Sequence, residues 1–561
     1  MSPAINPEDP AAQPTSEKKG GWITIPFILA TMVGLSLAFG GLFSNLEVYL
    51  IEVFNIKRIS AAQITNLVCG FVSIIPVGAA ILADSFFYCY TVIWISTLIS
   101  SLGMLLLTMT AAFSKLRPPP CEIGSNICTE PNKVQLTVLY LSLALTVFGL
   151  GGNRFTLAPM GAYQLDKPKQ QGSFFNWYIF VMYVCIILSS TVIVYLQNNV
   201  SWAWGFGIST AANALALLLF IVGNRFYRQL KPQGSPFAGL ARVVIKAIRN
   251  RGIKLSQNPA DYFQDQESKA PTLPTKFFRI LNRAALKGTE GDAGLNGYIT
   301  KSWRICTVRE VEDFKGLIRL LPLWTSALFV SVPLAIQMSL GILQALTMDP
   351  YIGHNFKVPA ASISVFLFIA TCITIPLVDR IFIPMWNKYG PRPITPLQRV
   401  GIGHLVDILS MISSAVVEVK RLKIARMHNL QDQDNAVVPL SMFWLVPALA
   451  FAGIGEAFHF PGHLEFYHQE FPKHLKNTST AVISLAIGIA FYLGNALIGV
   501  IERSTDWLPN NINKGRLDNV FWVITVIGGF NFCYFLVCAS MYKYRPIEEE
   551  EVDDAIVVNK E

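Results

Sequence analysis

The chain of 561 residues has few charged side chains: Asp, Glu, Lys and Arg make up 14% of it, against roughly 25% in an average soluble domain. It has only seven histidines, and its nine cysteines include no CxxC pair. No HExxH, GxSxG or phosphate-loop pattern occurs. No polar segment is large enough for a soluble catalytic domain. We therefore expect a protein that is not an enzyme and that has neither a cofactor nor a metal site.

The sequence does contain long apolar runs, and hydrophobic residues make up 52% of the chain. About 20 apolar residues in a helix cross a hydrocarbon core about 30 Å thick. A helix is the one conformation in which a single apolar run forms all of its backbone hydrogen bonds within itself in lipid. The sequence therefore predicts an all-α polytopic membrane protein. Twelve spans are expected, near residues 22–52, 62–82, 87–112, 134–153, 174–197, 202–223, 317–343, 359–378, 397–418, 438–460, 478–501 and 519–541.

A basic segment, Arg225 to Lys315, divides these runs into two sets of six. It carries seventeen Lys and Arg against eight Asp and Glu, a surplus equal to the +9 formal charge of the whole chain. Two six-helix halves joined in this way are typical of a carrier built from two repeats. The predicted organisation is an N-terminal tail, a six-helix bundle, a basic linker, a second six-helix bundle and an acidic tail, with bounds 1–21, 22–224, 225–315, 316–543 and 544–561.

An even number of spans places both termini on one side, and the basic linker favours the cytosol for that side. The first twenty-one residues are polar, and we expect no cleavable signal peptide. Cys121 and Cys128 share a short polar loop that then faces outward, where a disulfide and two free thiols are both open alternatives.

One stretch of the linker, residues 239–255, has the pattern of an amphipathic basic helix. It fits an anionic membrane surface, either as a strut between the bundles or as a simple anchor to lipid. Nucleic-acid binding is not expected, since the segment is too apolar and lies close between two spans. The residues predicted for its apolar face are Leu240, Val243, Val244, Ala247 and Ile248.

Four ionisable residues within the predicted spans are candidates for function, because charge is costly in a bilayer. Arg154 ends span 4 beside three glycines, and Glu456 lies in the glycine-rich AGIGEAFHF of span 10. His404 and Asp407 lie three residues apart on one face of span 9, where they could titrate or bond each other. Asp84, near a span end, is a candidate for gating or helix capping.

Several ordered motifs between about residues 21 and 544 resemble the plant nitrate and peptide transporter family. This family belongs to the proton-coupled oligopeptide transporters of the major facilitator superfamily. Within it, the chain is most similar to the nitrate excretion subgroup. The motifs are PVGAAILADS, SFFNWYIF, LQRVGIG and GIGEAF for the family, and GGWITIPF, FNIKRISAAQ, GGNRFTLAPMGA and LQALTMD for the subgroup.

The resemblance implies a proton-coupling ExxER motif in span 1, but this chain has Met32, Leu35 and Ser36 at the positions of its two glutamates and its arginine. The span 4 base of the family is present as Arg154, and the span 10 glutamate as Glu456. A span 7 histidine used by some nitrate carriers is replaced by Ala335, two positions before Gln337. The implied substrate-binding residues are therefore Arg154, Glu456 and Gln337.

Loss of these carboxylates predicts an Arg154 guanidinium without its usual partners, which favours a bound anion. We expect an alternating-access carrier of nitrate, with chloride second, that works without strict proton coupling and in the direction of efflux at the plasma membrane. Glu456, with His404 or Asp407, would carry the proton in the alternative of proton-coupled import of nitrate, a peptide or another organic anion. A nutrient sensor with the carrier fold and a channel are further alternatives.

Overall fold

The computed structural model describes residues 19–120, 129–154, 156–229, 236–264, 273–287, 306–353, 356–390, 392–433, 436–471 and 476–544. Within these residues, twelve helices are long and apolar enough to cross a membrane, which confirms the predicted all-α polytopic fold. Cys121 and Cys128 lie outside the described residues, so their pairing stays a prediction.

The first six spans form the N-terminal half. Their helices are, in order, Ile25–Phe43; Arg58–Ser85; Cys89–Ala112; Lys133–Arg154 with Leu157–Tyr163; Pro168–Leu188 with a π-helical turn (Ser189–Ile193) and Val194–Asn199; and Trp202–Val222. A short helix, Leu46–Glu52, prolongs span 1 beyond a break at Ser44 and Asn45. Residue 155 is not described, and span 4 resumes after it.

The last six spans form the C-terminal half. Their helices are Val308–Leu346; Val365–Leu377 with a π-helical turn (Val378–Phe382) and Ile383–Tyr389; Pro396–Met427; Val446–Glu470; Lys476–Ser504; and Leu517–Met541. Between spans 7 and 8 and before span 10, the chain forms β1 (Met348–Asp349), β2 (Tyr351–Ile352), β3 (Phe356–Lys357) and β4 (Val438–Ser441). β1 pairs with β4 in parallel, and β2 with β3 antiparallel.

Local sequence explains where two long helices begin. Thr307 accepts a bond from the backbone N–H of Glu310, whose carboxylate accepts one from the Thr307 N–H, and Thr395 and Gln398 form the same arrangement before span 9. Span 7 therefore starts at Val308, inside the segment predicted as linker.

Each half encloses its own apolar core. In the N-terminal half the fully buried side chains include Ile28, Leu42, Met104, Leu139 and Phe206. The C-terminal half has separate clusters at its two ends, one around Met348, Val438 and Met442 and one around Val400 and Phe466. A further cluster joins the two halves, because Ile59 and Ala62 of span 2 are buried together with Ile336 and Leu340 of span 7.

The two bundles meet along spans 2 and 11 and at the ends remote from the chain termini, here called the far side. The Gln63 amide donates to Glu502 at 3.1 Å, and the Arg58 N–H donates to the Asn510 side chain at 3.0 Å. Tyr195 stacks on Phe356 there, with ring centroids 6.1 Å apart. The far side is therefore closed in this conformation. The opposite end is called the termini side.

The linker helix, Pro236–Arg249, packs on the start of span 7 rather than standing free. Val243 and Ala247 are buried in a cluster with Tyr262, Leu286 and Val311, and Arg242 pairs with Glu310 at 3.2 Å. Of the predicted apolar face, Val244 and Ile248 stay 37% and 60% exposed. One apolar edge of the linker helix is therefore buried against the protein, and the other is exposed at its surface.

A fully buried ion pair lies near the far end of span 9. Arg421 contacts both carboxylate oxygens of Glu418, at 2.6 and 2.8 Å, and neither side chain is exposed. Gln344 of span 7 donates to Glu418 at 2.7 Å, and Arg421 also donates to Asn513 in the loop before span 12. These bonds join spans 7, 9 and 12 on the closed side.

Replacing Arg421 by Met leaves Glu418 buried with only its amide partner. We expect the free energy of unfolding to fall by about 3 to 5 kcal/mol, and the melting temperature in detergent to fall with it. Arg426→Met, five residues further along at an exposed position, is the matched control and should leave the melting temperature nearly unchanged. Equal melting temperatures for the two variants would contradict the structural role of the pair.

The Cys306 thiol reports on docking of the linker helix. It is fully buried, and burial raises its pKa to about 12, so it should react slowly with maleimide at neutral pH. In a chain that keeps only this cysteine, Val243→Asp should release the helix and speed the labelling. Ile245→Asp, on the exposed edge of the same helix, should not. Fast labelling of the unmodified linker would contradict the docking.

Candidate functional site between the two bundles

Arg154 lies at the last residue of the Lys133–Arg154 helix, well inside span 4. The glycines before it permit tight packing: a Cβ at Gly149 would collide with Ser100, and one at Gly152 with Ser96, both on span 3. Despite its depth the Arg154 side chain is exposed. It therefore borders an open space between the bundles rather than the core of its own half.

The groups around Arg154 come from four other spans. The guanidinium carbon lies 5.9 Å from the ring centre of Phe39, on span 1. Cys69 of span 2, Tyr178 and Tyr183 of span 5, and Glu456 of span 10 are its electrostatic neighbours. The site thus combines one cation with aromatic rings, hydroxyls and a thiol from the N-terminal half.

Glu456 faces the same space from the C-terminal half and is partly exposed. Thr371 of span 8 donates to its carboxylate at 3.5 Å, and Tyr183 interacts electrostatically with both Glu456 and Arg154. Among the described residues, no carboxylate comes within 4.0 Å of the Arg154 guanidinium. Arg154 and Glu456, from different bundles, are thus electrostatic neighbours, and their roles in substrate binding stay predictions.

The positions of the missing ExxER motif are occupied by packing residues. Met32 and Leu35 are 2% and 7% exposed in the core of the N-terminal half, and the Ser36 hydroxyl donates to the Met32 sulfur at 3.3 Å. Apolar contacts replace the charged contacts that the family motif would make. The three side chains leave Arg154 without a carboxylate from this part of span 1.

Glu47 is a carboxyl that the sequence argument did not count. It is 1% exposed, and neither of its oxygens has a hydrogen-bond partner among the described residues. Cys69 interacts electrostatically with both Glu47 and Arg154, so this carboxyl belongs to the surroundings of the site. It lies in NLEVYL, inside the first predicted span near residues 22–52, and was not among the ionisable residues chosen as candidates.

Gln337 lies within the C-terminal half rather than beside Arg154. Its amide donates to the Ser414 hydroxyl at 3.3 Å, and its carbonyl oxygen accepts a bond from Ser410 at 2.9 Å, both on span 9. Ala335 is 1% exposed in the same bundle. A ligand role for Gln337 stays a prediction that requires these two bonds to open.

His404 and Asp407 do face one small cavity, as their spacing predicted, but no bond between them is present among the described contacts. Instead, Asp407 lies 3.5 Å from the imidazole of His459 on span 10, and His404 lies against Phe535 with ring centres 4.6 Å apart. His459 was missed because its burial depends on how spans 9 and 10 meet.

The candidates at the termini side are separate from the central site. Asp84 lies in the last turn of the Arg58–Ser85 helix, and its side chain is not among the described ones. Asp379 of span 8 pairs with Arg399 of span 9 at 3.3 Å, so this acid has a partner inside its own bundle. A role of Asp84 in gating stays a prediction.

Two six-helix bundles that are closed at one side, with an open cation and a carboxyl facing each other between them, define a membrane carrier of the alternating-access class. Comparison with known proteins agrees: the PTR2 profile, which describes the POT family, matches residues 90–514. The chain belongs to the POT family of transporters.

Its relatives and its fold are consistent with this membership. It is 50% identical to the Arabidopsis thaliana protein NRT1/PTR FAMILY 2.5, over 96% of this chain and 95% of that protein. It is 47% identical to NRT1/PTR FAMILY 2.7 of the same plant, over 97% of each. The crystal structure of the POT family transporter PepTSo superposes with a TM-score of 0.68 at 18% identity, over 92% of this chain and 97% of that one.

The closed far side predicts one-sided access to the central site. In a chain whose native cysteines are replaced, Arg154→Cys serves as the labelling reporter. Gln63→Cys and Glu502→Cys are added to this chain and are joined at the far side by a short bifunctional thiol reagent. We expect the cross-link to abolish labelling of the reporter from the far side and to preserve labelling from the termini side. Gln63→Cys without its partner is the control. Undiminished far-side labelling of the cross-linked protein would refute the assignment.

Proposed function

We propose that this protein carries small inorganic anions, nitrate first and chloride second, by alternating access of its two bundles. The observation that carries the proposal is Arg154, a cation that is open to the space between the bundles and has no carboxylate within 4.0 Å among the described residues. An arginine in a region of low dielectric is stabilised by an anion, because the ligand offsets the cost of its lost hydration.

The shape of the guanidinium favours a planar oxyanion. Its five N–H donors form a flat fork that can donate two parallel bonds to nitrate, whereas chloride offers a single point charge. Phe39 lies 5.9 Å from the guanidinium carbon, and Tyr178 and Tyr183 are electrostatic neighbours of the same group. These features support nitrate over chloride, and they agree with the resemblance of the motifs to the nitrate excretion subgroup.

Export is the proposed direction. With Met32, Leu35 and Ser36 at the coupling motif, span 1 supplies no carboxyl there to bind a proton together with the anion. An uncoupled anion moves down its electrochemical gradient, which drives nitrate out of a cell whose interior is negative. We accordingly propose the plasma membrane as the location and the cytosol as the termini side, where the basic linker meets anionic lipid.

The second candidate is proton-coupled transport of nitrate, a peptide or another organic anion. It is favoured by one observation: Asp407 and His459 lie in contact at 3.5 Å in the bundle that holds Glu456. These groups can hold a proton that the span 1 motif no longer holds. A sensor with the same fold would bind the anion without moving it.

Arg154→Ala should abolish anion flux, and Arg154→Lys should separate the two anions. Lysine keeps the charge and loses the fork, so we expect chloride flux to persist while apparent nitrate affinity falls by about 10- to 100-fold, as for loss of one charged hydrogen bond. Whole-cell current and isotope flux, with nitrate or chloride as the main permeant anion, measure both effects. Arg225→Ala, at the exposed end of span 6, is the matched control.

Reversal potentials that follow the nitrate gradient would support the uncoupled carrier. Reversal potentials that follow the proton gradient would instead support the proton-coupled candidate. Nitrate binding without current or isotope flux, in protein confirmed at the cell surface, would favour the sensor and overturn the carrier. Nitrate affinity and flux that are unaltered in Arg154→Ala would remove Arg154 from the anion site.

A further inference from the structure

Span 10 carries a row of titratable side chains along one face towards the termini side. Glu456, His459, His463, Tyr467 and Glu470 are separated by three or four residues each, which places them on one face of a helix. At a rise of 1.5 Å per residue, the row extends about 21 Å. It begins at the central site and ends at the last residue of the helix.

The members of the row are close to one another and mostly buried. The His459 and His463 ring centres lie 6.0 Å apart, and His463 stacks on Tyr467 at 5.9 Å with an angle of 14°. Glu470 accepts a bond of 2.6 Å from the Tyr542 hydroxyl at the end of span 12. His459, His463 and Tyr467 are 7%, 5% and 1% exposed.

The row is joined to Glu456 through span 9. Asp407 lies 3.5 Å from the His459 imidazole and is an electrostatic neighbour of Glu456. Asp407 and His459 come from different helices, so their contact is not a consequence of helical spacing.

Cavities lie on either side of the row. One, with room for about one water molecule, is lined by His459, His463 and Tyr467. The smaller one, lined by Asp407 and His404, is the cavity described above. A water molecule beside the two imidazoles can bridge gaps that are too long for direct hydrogen bonds.

One cation lies close to the row: the Arg399 guanidinium donates to the backbone carbonyl of Ala457, between Glu456 and His459, at 3.5 Å. Span 9 contributes His404, an electrostatic neighbour of His459 and His463, and the cation Arg399. Arg399 is held by Asp379 of span 8, and by Glu465 at 3.9 Å on span 10 itself.

Span 8 also contributes the Thr371 hydroxyl at Glu456. Beside His463, the described side chains that line the cavity from span 11 are apolar, and span 7 adds the Ser331 hydroxyl.

We propose that Asp407, His459, His463 and Tyr467 form a proton relay that connects the termini side to Glu456. A neutral imidazole accepts a proton at one ring nitrogen and releases one from the other, so a proton can pass along the row while each histidine returns to its neutral form. One proton enters from water at the termini side, and one is stored on the Glu456 carboxylate.

Because of the relay, anion binding at the central site should depend on the pH at the termini side. When Glu456 is ionised it offsets the charge of Arg154, and when it is protonated it does not. Protonation through the row should therefore raise anion affinity at Arg154 as the pH of the termini side falls. This consequence rests on the proposed anion site, whereas the proton path itself does not.

Two measurements separate the relay from the transport function. In proteoliposomes of defined orientation, a rapid pH drop is applied to one side, and the carboxylic acid C=O infrared band of Glu456, assigned by its loss in Glu456→Gln, is followed in time. Glu456 also borders the space between the bundles, so protonation from the termini side should be fast in the wild type by either route, and the histidine variants distinguish the two routes. His459→Gln and His463→Gln should slow it by about tenfold or more, a loss within the range of positioned acid–base groups.

The second measurement is the dependence of apparent nitrate affinity on pH at each face. Affinity should rise with acid at the termini side in the wild type and lose this dependence in His459→Gln and in Asp407→Asn. His428→Gln, at the exposed end of span 9, is the matched control and should behave as the wild type. Melting temperatures establish that each variant is folded.

Several outcomes would overturn the relay. These are equal protonation rates from both faces, unchanged rates in both histidine variants, and rates slowed equally by His428→Gln. A protein that protonates through the row but moves neither nitrate nor chloride would preserve the relay and refute the proposed substrate.

Discussion

The free energy needed to hold a charge inside a membrane governs the arrangement of this protein. An ion removed from water must be paired, hydrogen-bonded or left open to a wet space. Arg421 and Glu418 take the first course and lie fully buried against each other. Arg154 takes the last course and is exposed, so two arginines in the same fold meet the requirement in different ways.

The same requirement explains how the two halves contribute to one site. Large apolar clusters lie within each bundle, and the charged groups near Arg154 lie outside them. The N-terminal half presents a cation among aromatic rings, and the C-terminal half presents a carboxyl. Alternating access by rocking of one bundle against the other would change the distance between these charges, and it would also separate the buried cluster that span 2 shares with spans 7 and 11.

The linker and the far-side contacts set the boundaries of that motion. The linker helix contacts the C-terminal half through the ion pair of Arg242 with Glu310. Contacts such as Gln63 with Glu502 must break when the far side opens. Apolar contacts must separate there as well, because Val48 and Val194 are buried together with Ile342 and Ala361 of the other half.

The sequence by itself determined the architecture, because runs of twenty apolar residues have no alternative to helices in lipid, and it predicted that Arg154 and Glu456 act together. Spacing placed His404 and Asp407 on one face, which the structure confirms, but spacing along one helix does not determine contacts between helices. The partner of Asp407, the bonds of Gln337 to span 9 and the burial of Glu47 were decided by packing of separate spans. Only the tertiary structure brings His459 to Asp407, since the two residues lie fifty-two positions apart and meet through the crossing of spans 9 and 10.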